Sequence, residues 1–110
     1  MRRASTVSIR STRPDNFINM GGTVGDRTID GSPDIALGPP FTFPFPGFKA
    51  HSLILRIGSQ VAQGGEGASF VANQGGPLEI CVNDDVRTDN SGAWGLAISV
   101  DEREIGRAHV

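Results

Sequence analysis

The sequence predicts an all-β domain, an antiparallel β-sandwich or jelly roll, and three observations carry that prediction. Gly and Pro, 15 and 7 of 110 residues, are too frequent for a helical bundle and suit short strands joined by many turns. Eight of the 12 acidic residues are Asp, and nine of the 10 basic ones are Arg, with Lys49 the single lysine. Asp favours turns and caps, whereas Glu and Lys favour helices. Finally, two segments alternate apolar and polar residues with a period of two, and no 3.6-residue pattern outlasts two turns. A chain this short holds one core. Residues 1–100 are therefore expected to form a single sandwich domain and residues 101–110 a polar C-terminal tail.

Taken in order, the first strand is expected at Val7-Ser8-Ile9-Arg10, after a polar, basic start. Arg13-Pro14-Asp15-Asn16 signals a turn, and Phe17-Ile18-Asn19-Met20 a second strand ended by Gly21-Gly22. Residues 23–40 show no period and hold Gly25, Gly31, Pro33, Gly38, Pro39 and Pro40. They read as a long loop, of a length that points to binding or to an insertion. Phe41-Thr42-Phe43-Pro44-Phe45-Pro46-Gly47-Phe48 alternates aromatics with small residues or proline. It reads as a proline-interrupted edge segment that drops its phenylalanines into the core, with a sugar-stacking platform as the alternative. Ser52-Leu53-Ile54-Leu55-Arg56-Ile57-Gly58 is a near-continuous apolar run of strand length, hence a strand buried on both faces. Residues 60–67 read as a loop on account of Gly64, Gly65 and Gly67, and Ala68-Ser69-Phe70-Val71-Ala72 as a short strand. Two half-buried strands complete the set: Leu78, Ile80 and Val82 share one face, and Trp94, Leu96, Ile98 and Val100 share another.

Composition excludes several classes. The formal net charge of -2 lacks the basic excess behind non-specific phosphate binding, so no nucleic-acid partner is expected. The longest apolar stretches fall far short of the roughly 20 residues of a membrane span. The basic N-terminus has no apolar stretch after it, so no cleavable export signal is expected in this chain. Cys81 alone can form no internal disulfide. No enzyme is expected either: there is no nucleophile motif around Cys81, and no glycine-rich phosphate loop opens a helix.

One loop stands out. Asn83-Asp84-Asp85-Val86-Arg87-Thr88-Asp89-Asn90-Ser91-Gly92 holds three of the eight aspartates within six positions, with Arg87 the only offsetting charge. Carboxylates this close repel unless a cation joins them. Calcium takes six to eight oxygens from carboxylates, amide and backbone carbonyls and water, all of which the loop supplies, whereas zinc favours Cys or His, of which the loop has none. The spacing is not that of an EF-hand. The plain alternative is a tight connection made of ordinary turn formers.

The run Leu53-Ile54-Leu55-Arg56-Ile57-Gly58, then Pro77-Leu78-Glu79-Ile80-Cys81-Val82-Asn83-Asp84-Asp85, then Asp89-Asn90-Ser91-Gly92-Ala93-Trp94-Gly95-Leu96-Ala97-Ile98 resembles the PA-IL-like family of bacterial calcium-dependent galactophilic lectins and related carbohydrate-binding domains. The likeness spans residues 50–100, about half of the chain. It implies a jelly-roll, galactose-binding-domain-like sandwich that binds Ca²⁺ and, through it, sugar hydroxyls. By the same resemblance the Asn-Asp pair puts a calcium-ligating carboxylate at Asp84. A backbone carbonyl follows from Arg87 or Thr88, side-chain oxygens from Asp89 and Asn90, and a last carbonyl from the early chain near Gly22 to Gly25. The loop departs from the lectins in being shorter and in having Asp89 where Asn is usual. Asp85 becomes an extra carboxylate, a substitute ligand or a sugar contact, so Asp84, Asp85 and Asp89 are the expected ligand-binding residues. No His and Gln pair suited to a sugar is present in residues 30–47, and His51, close to the strand, is expected to serve structure. The function expected is a lectin-like carbohydrate-binding domain whose partner is a galactose-like glycan, with homo-oligomer formation open. The alternative is a structural β-sandwich interaction module in which calcium only staples the loop or is not bound.

Overall fold

A computed structural model of the chain describes residues 5–12, 17–85 and 90–101. The described residues contain no helix and nine strands: β1 (Thr6–Ser11), β2 (Ile18–Asn19), β3 (Asp26–Arg27), β4 (Leu53–Ile57), β5 (Gln60–Gln63), β6 (Ser69–Val71), β7 (Leu78–Val82), β8 (Ser91–Gly92) and β9 (Leu96–Asp101). They form three antiparallel three-stranded sheets, ordered β6-β1-β9, β3-β2-β8 and β5-β4-β7. The all-β expectation is met. The expected turn at Arg13 to Asn16 and the tail beyond Asp101, with His109, lie outside the described residues.

The core forms where two of the sheets meet. β1 alternates inward Val7 and Ile9 with outward Ser8 and Arg10. Its register sets Val7 opposite Val100 and Ile9 opposite Ile98, so apolar side chains of neighbouring strands share one face. β4 contributes Leu53 and Leu55, which cluster with Ile9 and Ile29 and are flanked by Phe70, Leu78, Trp94, Leu96 and Ile98. One cluster thus joins side chains of the β1 sheet and the β4 sheet, as in a sandwich. Ile54, on the opposite face of β4, is also fully buried, in keeping with the buried strand expected from the near-continuous apolar run. Trp94 donates its indole N–H to Arg27 O at 2.9 Å, linking the approach to β9 with β3.

Three local expectations fail for physical reasons. Residues 60–63 are a strand, because Gly58 at φ 57° turns the chain sharply after β4 and lets Gln60 to Gln63 pair back along it. The glycines that signalled a loop act only after Gln63. The inner face of β7 is not closed: Ile80, opposite the buried Leu55, is 51% exposed, since β7 is an edge strand and the packing ends at β4. The phenylalanines of residues 41–48 do not enter the core cluster. Phe41 is 50% exposed. Proline at 40, 44 and 46 removes the backbone donors a sheet edge needs, and the segment crosses the surface as a loop.

Candidate functional site

The segment that leads into β4 and the one that leaves β7 run side by side because β4 and β7 pair antiparallel, with Leu53 opposite Val82. Asn83 holds them together. It is fully buried, and its side-chain amide donates to Phe45 O at 2.9 Å and Lys49 O at 3.0 Å while its Oδ1 accepts from Phe45 N at 3.1 Å. Its backbone N–H donates to Ser52 O, and its carbonyl accepts from His51 N at 2.6 Å. One side chain therefore ties the backbone of Phe45 and Lys49, on either side of Pro46, to the end of β7.

This clamp puts His51 beside the acidic pair. His51 is the one described non-glycine residue with positive φ, 60°, a conformation that surrounding bonds must impose. Its Nδ1 lies 2.8 Å from Ser32 Oγ. Ser32 is anchored in turn by its N–H to Ala50 O at 2.8 Å. On the other side of the ring, Nε2 lies 3.6 Å from Oδ1 of Asp84, a residue only 3% exposed. One ligand atom each from His51, Asp84 and Asp85 falls within 4.8 Å of the other two. Phe43 packs edge-on to the imidazole, ring centroids 5.7 Å apart. Thr42 donates to Asp85 O at 3.3 Å, which ties the aromatic segment to the same spot. Gly31 keeps the far wall close. A Cβ there would lie 2.6 Å from Ala50 O and 2.7 Å from Ser52 Cα, and its φ of 69° favours glycine.

His51 and Ser32 form part of the wall of a cleft of about 570 Å³, with Leu37, Phe41, Phe43 and Asp34 also lining it. Its volume falls within the range spanned by small-ligand clefts. The turn between β2 and β3 adds Thr23 and Val24 to the same cleft, the region from which an early-chain carbonyl was expected.

Of the expected site residues, Asp84 and Asp85 stand together. Asn90 lies immediately before β8, and its Oδ1 is buried with no hydrogen-bond partner among the described residues. Thr88 and Asp89 lie outside the described residues, as does Arg87. Sequence reasoning missed His51 as a neighbour of the acidic pair. The signal was available: β4 and β7 are the two most apolar strands, and pairing them antiparallel brings the residue before one next to the residue after the other. Comparisons with protein-family models, with curated proteins and with solved structures find no match to this chain.

Proposed function

We propose that this chain is a calcium-dependent carbohydrate-binding domain, a jelly-roll sandwich of galactose-binding-domain-like build and no enzyme. The supporting observation is the meeting of Asp84 and Asp85 beside an aromatic cleft, with His51 common to both. Two adjacent carboxylates suit calcium, and Asn90, whose amide oxygen is buried with no hydrogen-bond partner among the described residues, supplies the further oxygen that the resemblance implies. Asp84, Asp85 and Asn90 would hold the ion with Asp89 and the Thr88 carbonyl. An ion held by these residues would offer open coordination positions to two neighbouring sugar hydroxyls. Phe41 and Phe43 offer apolar faces to the C–H side of a pyranose, and Asp34 a hydrogen-bond acceptor. A galactose-like glycan has the paired hydroxyls and the apolar face that such a site recognises.

Isothermal titration with Ca²⁺ followed by a glycan panel tests this reading. The wild-type chain is expected to bind one Ca²⁺, and Asp84→Ala to abolish that affinity. Calcium binding with no response to any glycan would leave only a structural module with a stapled loop. A chain that binds no calcium would sink the proposal outright.

A further inference from the structure

We propose that His51, Asp84 and Asp85 form a site for a divalent transition ion of the zinc class, with the imidazole as a direct ligand. The proposal goes beyond calcium because it stands on a nitrogen atom that calcium, an oxygen-seeking ion, does not select, whereas imidazole suits Zn²⁺, Cu²⁺ and Ni²⁺. It shares two carboxylates with the calcium reading, so the two ions compete for the site.

Geometry carries the inference. The 3.6 Å between His51 Nε2 and Asp84 Oδ1 exceeds the 2.7–3.2 Å of a hydrogen bond to nitrogen. Two ligands of a tetrahedral ion, each about 2.0–2.1 Å from it, lie roughly 3.3 Å apart. The observed separation is thus close to that of two atoms sharing one ion. Asp85 completes the set within 4.8 Å. Because it is only half-buried, its carboxylate can close in by the shift on the order of 1 Å that zinc–oxygen distances require.

The surroundings orient the nitrogen as a metal-binding histidine needs. A ligating imidazole normally gives its other ring nitrogen to an oxygen, which fixes ring and tautomer. Ser32 Oγ, 2.8 Å from Nδ1, is placed to accept that bond when Nδ1 carries the proton, which leaves Nε2 for the carboxylate side. The His51 backbone is locked to Asn83 O, one residue before Asp84, so the nitrogen and carboxylate are held by one short bridge between paired strands. Three protein ligands leave a fourth position open. His51 also lines the cleft, which sets the site at the cleft wall.

Titration of the full chain with zinc chloride and, separately, calcium chloride, in a non-coordinating buffer, tests the site. The expected result is one Zn²⁺ per chain, weakened at least about 100-fold by His51→Asn and about 10–100-fold by Ser32→Ala. Calcium affinity in His51→Asn should stay within about threefold of wild type. Asn is chosen because it tolerates positive φ, and circular dichroism checks its fold. X-ray absorption of the zinc-loaded His109→Ala chain provides a second readout that does not depend on altering the site: it should show one imidazole nitrogen among oxygen neighbours. A wild-type chain that binds no zinc, a folded His51→Asn chain that binds it as tightly as wild type, or zinc without imidazole scattering would each overturn the proposal. Failure of calcium alone to bind would overturn the calcium reading and leave this one standing.

Discussion

Asn83 illustrates how a single residue can make a site without joining it. All three of its side-chain hydrogen bonds reach backbone atoms of residues 45 and 49, and its own backbone fixes residues 51 and 52. Asn83→Ala strands buried donors and acceptors at about 1–3 kcal/mol each. Denaturant unfolding should therefore show a loss of about 3 kcal/mol, and the variant should lose ion affinity although Asn83 touches no ion. Asn83→Asp sets a buried carboxylate oxygen against the Phe45 and Lys49 carbonyls, so it should cost at least as much. Gly31→Ala should cost a comparable amount, because the added Cβ meets backbone atoms at 2.6–2.7 Å and the residue must hold a positive φ. At this scale the sequence was informative about type and silent about partners. Three aspartates in six positions marked the loop, yet nothing local to His51 or Ser32 announced a meeting with Asp84. Their proximity comes from strand pairing, and pairing is a non-local property.

Among the elements, β4 organises the rest. Its five residues include four that are fully buried, and both neighbours pair with it antiparallel. Leu55→Ala should destabilise by about 2–5 kcal/mol through transfer and cavity terms, more than any substitution on the exposed edge strand β7. β4, β1 and β9 were legible because burial writes its period into an apolar pattern. The two-residue strands β3 and β8 are too short to carry a period, whereas β2 lies inside the strand expected at Phe17 to Met20, and β5 was hidden by the glycines that follow it. The turn between β5 and β6 supplies a pH-sensitive link to β1. Glu66 accepts from Ser11 N–H at 2.8 Å, and these bonds to Ser11 hold its carboxyl below the usual range. With the folded value depressed, the stabilisation is complete above the ordinary glutamate pKa of about 4.3 and fades as pH falls through the lower folded value. Glu66→Gln should flatten the acid limb of a thermal-melt profile below the ordinary glutamate pKa of about 4.3 and lower the melting temperature slightly near neutral pH, where wild-type Glu66 is ionised.

For the whole molecule, the acidic balance acquires a location. Residues 84–89 contain three aspartates and one arginine, a local charge of -3 + 1 = -2 that equals the formal charge of the entire chain. A bound divalent ion would neutralise it. An ion held only by the folded chain stabilises by RT ln(1 + [L]/Kd), about 2.7 kcal/mol at 100 times Kd. For a domain of this size that corresponds to a melting temperature higher by about 10 °C or more. The shift should vanish in Asp84→Ala and with a chelator, whereas an equal loss of stability in chelator would mark Asp84 as a turn residue. The all-β class and the sharing of one core by two sheets followed from composition and period. The aromatic cleft did not, because phenylalanines between prolines read as core, whereas the prolines keep the segment out of the sheets as a surface loop. The most direct test of the proposed function is a glycan array probed with the wild-type chain in calcium and again in excess chelator. The account predicts signals on galactose-like glycans that are lost on chelation. Signals that survive the chelator, or a calcium-loaded chain that recognises no glycan, would contradict it.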